Sequence, residues 1–196
     1  MTGPYANNAA TFLIQTVFGL YILAVMLRTL LQWIRADARN PITQFLITIT
    51  NPPLLPLQRL LPAIRGLSLG AVVLLLVLQG VEIGLMLALS GHGGSVEGIA
   101  VMAVAELLQL VIQVYTFGLI IYVVLSWLAM LGSMRPNPVS SLLEELLGPV
   151  LGPIRRMMPD LGGIDLSPIV LFIGLQLVAM LFVAPVRDVA RMLLSG

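Results

Sequence analysis

The sequence predicts an all-α membrane protein with four transmembrane helices. We expect two parallel-duplicated hairpins, each with a short amphipathic, Pro-rich helical element between its two spans. Apolar residues make up 59% of the 196 residues and charged residues only 10%, and the mean hydropathy is +1.04. A soluble domain carries about 25% charged residues, so this chain has too few polar side chains to cover a water-facing surface. A long motif that occurs twice is the second observation.

Four apolar stretches are each long enough to cross a bilayer, which takes about 20 mostly apolar residues. They cover residues 12–34, 67–89, 107–131 and 166–186. The first follows no basic segment and does not end in a small-residue cleavage site, which favours a retained span over a signal peptide. A helical pattern extends the third stretch back to about residue 96, and we expect this extension to stand outside the membrane.

The two halves of the chain carry the same motif. The first copy contains Trp33, Asn40, Pro41, Pro52, Pro56, Arg59, Pro62, Gly66, Leu69 and Gln79; the second contains Trp127, Asn137, Pro138, Pro149, Pro153, Arg156, Pro159, Gly163, Leu166 and Gln176. After a three-residue insertion the offset stays at 97 positions, as between Asn40 and Asn137. This pattern indicates an internal duplication, with repeats at residues 1–94 and 95–196. Two spans per repeat place both repeats in the membrane with the same orientation.

The arginines predict which side of the membrane each loop faces. Seven lie in the connectors between the spans of each repeat: Arg35, Arg39, Arg59, Arg65, Arg135, Arg155 and Arg156. Only Arg187 and Arg191 lie on the opposite side, next to Asp188. By the positive-inside rule we expect both connectors in the cytoplasm and both termini in the periplasm of a bacterial inner membrane.

Each connector is predicted to form two short helices, over residues 40–62 and 137–159. Asn40-Pro41 and Asn137-Pro138 suit a helix start, because asparagine caps well and proline fits the first turn. Pro52 and Pro149 are expected to end the first helix of each connector, and Pro62 and Pro159 the second, with Pro56 and Pro153 in its opening turn. The apolar spacing predicts one apolar face on a helix that lies at the membrane interface or dips into it. This face is formed by Ile42, Phe45, Leu46 and Ile49 in the first copy and by Val139, Leu142, Leu143 and Leu146 in the second.

Two interpretations of these connectors remain open. One is a rigid elbow at the membrane surface that sets the angle between two spans. The other is a re-entrant or docking element that contacts a partner. Candidate contacts with lipid headgroups or a partner are Arg59, Arg155, Arg156, Trp33 and Trp127.

Polar residues inside the spans form a candidate intramembrane axis, because such residues are costly there. Gln79 and Gln176 occupy equivalent positions, so we expect equal depth and a hydrogen bond across the bundle, with packing favoured over permeation. Glu82 lies one turn after Gln79. Arg28 is expected not to meet Glu82, because the two residues differ in depth, and to extend its guanidinium to the cytoplasmic headgroups.

The sequence contains no set of residues typical of catalysis. It has no cysteine and one histidine, His92, in a Gly-rich loop where a solvated role is expected. We find no nucleophile–base arrangement, phosphate loop or metal-ligand cluster, and therefore predict a non-enzymatic protein without a cofactor. The net charge of +1 gives no basic patch for nucleic acid.

The repeated motif resembles the YggT family of bacterial membrane proteins in its two-repeat form, which is related to the YlmG proteins of cyanobacteria and chloroplasts. The resemblance rests on Arg28 five residues before Trp33, on the Asn-Pro pairs, on the proline-flanked segments 56–62 and 153–159, and on residues 162–168. In the second copy Tyr122 replaces Arg28. Asp165, Ser167 and Pro168 have no counterparts of the same type in the first copy, and Ser167 is expected to cap the fourth span.

This resemblance implies a role in osmotic-stress tolerance or in envelope and ion homeostasis, or else in division and the assembly of membrane complexes. The first is our leading hypothesis. A scaffold that docks partners through the connectors is the alternative. A channel or transporter component, which would need a homo-oligomer, is the second alternative.

Overall fold

The computed structural model describes residues 4–64, 66–91, 93–131, 137–158 and 165–195. These residues are almost entirely helical. The elements in chain order are α1 (Pro4–Trp33), α2 (Pro41–Leu60), β1 (Ala63–Ile64), β2 (Leu67–Ser68), α3 (Leu69–Leu89), α4 (Val96–Met130), α5 (Pro138–Met157), α6 (Ser167–Val178), a π-helical turn (Ala179–Val183) and α7 (Ala184–Ser195).

Four of the described helical segments are long and apolar enough to cross a membrane. They are Asn7–Trp33, Leu69–Leu89, Val96–Met130 and Ser167–Ser195. The number of spans and their order agree with the sequence prediction, and α4 begins at Val96 as expected. Two bounds differ: α1 already begins at Pro4, and the fourth helix continues past residue 186 to Ser195.

The fourth span changes its helical register near its middle. The N–H of Ala184 donates to the carbonyl oxygen of Ala179, five residues earlier, and closes the π-helical turn. Pro185 follows directly and has no N–H to donate, so an ordinary α-helical ladder is broken there in any case. A π-turn adds one residue to the helix and thereby rotates everything after it. This rotation sets which side of α7 faces α4.

Each described connector contains one continuous helix, which contradicts the expected break at Pro52 and Pro149. Helix α2 runs through Pro52, Pro53 and Pro56, and α5 runs through Pro149 and Pro153. Each proline removes one backbone donor, and in α2 one of the carbonyls left without its helical donor gains another partner. The Ile49 carbonyl, which Pro53 leaves without its helical donor, accepts a hydrogen bond of 3.3 Å from the Tyr21 hydroxyl.

The ends of the connector helices follow the sequence more closely. Asn40 accepts a hydrogen bond from the N–H of Ile42, and Asn137 accepts from Val139 and Ser140, so both are caps as predicted. Helix α2 ends at Leu60, two residues before Pro62. Pro159 lies outside the described residues.

The buried faces of the connector helices agree with the predicted apolar faces at Leu46, Leu142, Leu143 and Leu146 and differ at other positions. In α2 the buried residues are Thr43, Leu46, Thr50 and Leu54, whereas Phe45 is 61% exposed. In α5 they are Leu142, Leu143, Leu146, Leu147 and Leu151, whereas Val139 is 41% exposed. Thr50 lies on the buried side of α2, where its hydroxyl accepts a hydrogen bond from Arg28 of α1.

A two-stranded antiparallel hairpin joins α2 to α3, and the sequence did not predict it. Ala63 pairs with Ser68 and Ile64 with Leu67. Gly66 completes the turn with a φ of +87°, a conformation that residues with a Cβ rarely adopt.

Apolar side chains from all four spans and both connector helices fill the centre of the bundle. Among them Val25, Leu54, Ala71 and Leu147 are fully buried. The connector helices therefore belong to the same packed core as the spans.

Candidate functional site: the connector helices and their joint

In the first repeat an arginine of the span fastens the connector helix. One terminal nitrogen of Arg28 (Nη1) donates 2.7 Å to Thr50 Oγ1 and 3.2 Å to the carbonyl oxygen of Ile47. Arg28 is 9% exposed and Thr50 is fully buried. The expectation that Arg28 extends to the headgroups is therefore wrong: the guanidinium binds α2 because a threonine and a backbone carbonyl lie within its reach.

In the second repeat an arginine of the connector helix makes the corresponding attachment. Arg155 of α5 donates 2.9 Å to Asp165, just before α6, and 3.1 Å to the hydroxyl of Tyr122 on α4. Its guanidinium also lies 5.9 Å from the centre of the Tyr122 ring. Tyr122 is the residue that replaces Arg28. In this repeat the cation therefore comes from the connector helix, whereas in the first repeat it comes from the span.

The Arg155–Asp165 contact has a neutral equivalent in the first repeat. Gln58, 97 positions before Arg155, donates 3.1 Å to the hydroxyl of Ser68, 97 positions before Asp165. Ser68 also caps α3 by accepting from the N–H of Ala71. Each repeat thus joins the end of its connector helix to the start of its second span by one polar pair.

The start of α6 differs from the cap expected there. Ser167 is the first helical residue, and its N–H and hydroxyl both donate to Asp165 Oδ1. Asp165 therefore supplies the capping oxygen that the sequence analysis assigned to Ser167. Pro168 occupies the first turn, as expected.

The ionisation of Asp165 and Arg155 reflects these contacts. Burial on its own would raise the pKa of Asp165, but hydrogen bonds from Ser167 and Arg155 outweigh it, so this pKa lies below its usual value. The hydrogen bond to Tyr122 raises the pKa of Arg155. Both residues form an ion pair, with 43% of each side chain exposed.

The two connector helices meet at their N-terminal ends, and we call this contact the joint. Asn40 donates 2.7 Å to the carbonyl oxygen of Pro138 and 3.3 Å to Ser141 Oγ. The N–H of Asp37 donates 2.8 Å to Glu145 Oε2. Asn40 thus caps α2 and also holds α5, although the sequence predicted only the first role.

An open cleft of about 360 Å³ lies at the joint. Its lining combines both Asn-Pro pairs with charged and hydroxyl side chains: Asp37, Arg39, Asn40, Pro41, Asn137, Pro138, Ser141 and Glu145. The cleft is therefore shared between the two repeats.

The candidate headgroup residues are on the surface. Arg59, Arg155 and Arg156 are exposed, and Trp33 and Trp127 are 53% and 66% exposed. Their accessibility is compatible with contacts to lipid or protein.

The candidate intramembrane polar residues do not form one connected group. Gln79 is buried and donates 2.9 Å to Glu82 on its own helix. Arg28 binds α2 instead, so it does not meet Glu82, as predicted from depth.

Gln79 and Gln176 lie at different levels of the bundle. The hydroxyl of Ser95 donates to the carbonyl oxygen of Leu193, and Gln176 precedes Leu193 by 17 residues, about 25 Å of helix. The glycine after Gln79 faces Ile99, only four residues or about 6 Å along α4 from Ser95. The two glutamines are therefore on the order of 20 Å apart along α4, and the expected hydrogen bond between them is wrong. The prediction of equal depth for Gln79 and Gln176 required both repeats to contact α4 at the same level.

A contact between α4 and α7 was not predicted from the sequence. Arg187 donates from Nε and Nη2 to the two carboxylate oxygens of Glu106, at 3.1 and 3.2 Å. The apolar spacing of Val183 and Ala190, both buried, was the available signal that the helix continues.

Among the described residues, no group of three or more His, Cys, Asp or Glu side chains is placed to hold a metal. His92 lies outside that part of the chain.

Comparisons with known proteins agree with the resemblance. The CCB3/YggT family model matches residues 7–89 and residues 101–186. The uncharacterized protein PA0392 of Pseudomonas aeruginosa is 41% identical over 179 residues, which are 90% of this chain and 89% of that protein. The uncharacterized protein YggT of Escherichia coli K12 is 30% identical over 191 residues, 96% of this chain and 97% of that protein.

A plant relative matches over a shorter segment. The chloroplastic YlmG homolog protein 2 of Arabidopsis thaliana is 34% identical over 93 residues, 45% of this chain and 36% of that protein. No solved structure matches the chain. The bacterial relatives are described as uncharacterized and point to no enzyme family. With both segments matched and these relatives aligned along most of their length, the chain belongs to the CCB3/YggT family.

Proposed function

We propose that this protein is a non-enzymatic membrane scaffold or assembly factor that holds partner proteins through its two connector helices. The observation that carries the proposal is the joint, because Asn40 and Glu145 bond the ends of α2 and α5 into one surface. Such a surface is rigid before a partner arrives, and a preorganised surface loses little freedom on binding. Gln44, Thr48 and Glu144 are exposed on the same two helices.

The scaffold role is tested by co-purification from native membranes after crosslinking. We expect the triple variant Gln44→Ala, Thr48→Ala, Glu144→Gln to lose its partners while it keeps the thermal stability of the unmodified protein. A matched control replaces Glu97, which is exposed at the start of α4 and outside both connector helices, by glutamine. If the triple variant retains the same partners at the same yield, the connector helices are not the docking surface.

The packed core supports a scaffold over a channel. The centre of the described bundle is occupied by side chains such as Val25, Leu54 and Leu147, which have no exposed surface. A single chain of this shape offers no water-filled path there, and conduction would need an oligomer. Flux above that of empty vesicles, altered by Gln79→Leu or Gln176→Leu, would favour the channel instead.

The physiological setting we propose is osmotic-stress tolerance or envelope homeostasis in the bacterial inner membrane. Support for it comes from the family membership alone. The test is survival of a deletion strain after hyperosmotic shock, complemented by the unmodified protein or by the triple variant. Equal survival with and without the protein would contradict a role in osmotic-stress tolerance.

We propose that both connectors face the cytoplasm and both termini the periplasm. The distribution of arginines supports this orientation. The chain has no cysteine, so single thiols introduced at the exposed positions 44 and 141 can be labelled selectively in intact cells. Labelling by a membrane-impermeant reagent only after the inner membrane is opened is the expected result. Labelling of one position from outside would overturn the parallel duplication.

A further inference from the structure

The cleft at the joint contains two carboxylates that are only partly used. Glu145 accepts the Asp37 N–H through Oε2, and Asp37 accepts the Arg39 N–H through Oδ1. The second oxygen of each carboxylate has no hydrogen-bond donor among the described residues. A carboxylate can accept about four hydrogen bonds, so both retain most of their capacity.

Among the described residues, neither carboxylate has a cationic partner. The ion pairs of the described residues involve Asp165, Glu106 and Asp188 instead. Arg39 also lines the cleft, but it forms no ion pair in this part of the chain, and its exposed side chain can turn to solvent. The described lining residues include two acidic side chains and one basic side chain, so they carry one excess negative charge on a connector surface that is otherwise rich in arginine.

The volume of the cleft and the side chains around it indicate what kind of group could bind there. A volume of about 360 Å³ is at the lower end of small-molecule pockets, so an open cleft of this size suits one side chain better than a whole cofactor. Exposed apolar residues stand next to it: Val139 directly follows the lining residue Pro138, and Phe45 is one turn after Pro41. A free amine would leave these apolar side chains unused, whereas a peptide segment covers them.

We propose that the cleft is the docking site for a basic segment of a partner protein. A lysine or arginine side chain of that segment enters between Asp37 and Glu145, while apolar residues beside it pack on Phe45 and Val139. The occupant contacts both connector helices at once, so it binds only when the joint is closed. This inference rests on the proposed scaffold role and names the chemistry of the partner.

The test uses the full chain in nanodiscs of zwitterionic lipid, so that a cationic probe is not held by the bilayer. The probes are a fluorescent eight-residue peptide of alternating lysine and leucine, the same peptide with glutamate in place of lysine, and spermidine as an unlabelled competitor. Fluorescence anisotropy gives the Kd at low and at high salt. We expect the lysine peptide to bind, the glutamate peptide not to bind, and the affinity to fall as salt screens the contact.

The decisive variant is Glu145→Gln, which keeps an acceptor for the Asp37 N–H and removes only the charge. We expect it to weaken lysine-peptide binding about tenfold, because a charge-assisted contact is lost. Glu97→Gln is the matched control, since Glu97 is exposed at the start of α4 and does not line the cleft. It is expected to bind as the unmodified protein does.

Three outcomes would overturn the inference. They are equal affinity for both peptides, an unchanged Kd in Glu145→Gln, and displacement of the peptide by spermidine at the peptide's own Kd, which would indicate a small-amine site. None of them touches the scaffold proposal, which is decided by co-purification of the triple variant. If that variant keeps its partners while the peptide binds as expected, the scaffold proposal fails and the cleft remains.

Discussion

Gly70 is the position where the attachment of α2 to α3 can be tested most directly. A Cβ added to this helical glycine would lie 2.9 Å from the carbonyl carbon of Leu57, 3.0 Å from the nitrogen of Gln58 and 3.1 Å from the Leu57 oxygen. All three atoms are backbone atoms of α2. They cannot move aside by a change of rotamer, so Gly70→Ala has to push the two helices apart.

The size of the effect follows from two opposing terms. Extra methyl groups in well-packed places typically cost about 1–3 kcal/mol. Alanine favours a helix over glycine by up to about 1 kcal/mol, which offsets part of this cost. We therefore expect Gly70→Ala to lower the free energy of unfolding by about 1–2 kcal/mol, which changes the ratio of folded to unfolded protein by about 5–30-fold.

Gly174 provides the matched control. It is also a helical glycine, in α6, but no atom of a neighbouring element lies within 4 Å of its added Cβ. Gly174→Ala should therefore leave stability unchanged or raise it. Unfolding in mixed micelles with increasing dodecyl sulfate, followed by the fluorescence of Trp33 and Trp127, measures both variants. If Gly70→Ala unfolds at the same detergent fraction as the unmodified protein or at a higher one, the close approach of α2 to α3 is refuted.

Three further predictions concern the polar contacts; the first and third are measured by the same unfolding assay and the second by thermal unfolding. Arg28→Met should lower the free energy of unfolding by about 2–3 kcal/mol, because hydrogen bonds to a charged group are worth about 1.5–3 kcal/mol each, while Arg59→Met should change it by less than about 0.5 kcal/mol. The lowered pKa of Asp165 stabilises the folded state above the unfolded value of about 3.9. That stabilisation is lost as the pH falls through the lower folded value, so the difference in Tm between the unmodified protein and Asp165→Asn should vanish at the acidic end of a pH series. A double-mutant cycle on Glu106 and Arg187 should give a coupling energy of about 0.5–1 kcal/mol, because the pair is bidentate and only partly exposed.

Each of these predictions has an outcome that contradicts it. Arg28→Met with native stability would mean that the guanidinium does not hold α2. A constant Tm difference between pH 6 and pH 2.5, values that bracket the titration of an aspartate at about 3.9, would separate Asp165 from the proposed ion pair. The exposed pair Arg191–Asp188 is the reference for the cycle, and a coupling for Glu106–Arg187 no larger than for that pair would show that α7 is held by apolar packing alone.

Local signals predicted the spans and the helix starts well, because their causes are local. Asn40 and Asn137 cap the connector helices through the residues that directly follow them. A run of about 20 apolar residues predicts a transmembrane helix whatever the rest of the chain contains. The same reasoning gave the polar start of the fourth span and erred only in which side chain, Asp165 or Ser167, supplies the acceptor.

Long-range contacts account for the features that were wrong. The rule that proline ends a helix compares a helix with an unfolded segment in water, and it cannot include the Tyr21 hydroxyl that reaches the Ile49 carbonyl from another helix. The burial of Thr50 was not predicted, because the side chain that binds its hydroxyl, Arg28, comes from another helix. Equal depth of Gln79 and Gln176 followed from a symmetric duplication, whereas the repeats meet α4 at different levels.

In both repeats the connector helix is attached to the spans by polar contacts, but the arginine that makes them lies on a different element in each repeat. In the first repeat the span contributes the arginine, Arg28, and the connector contributes the neutral Gln58. In the second the span contributes Tyr122 and the connector contributes Arg155. Because Arg28 is buried and Arg155 is exposed, salt should weaken the second attachment more than the first. The second connector is therefore the one expected to loosen when the ionic strength of its surroundings rises, and a scaffold built in this way would respond to salt through one repeat while the other holds its place.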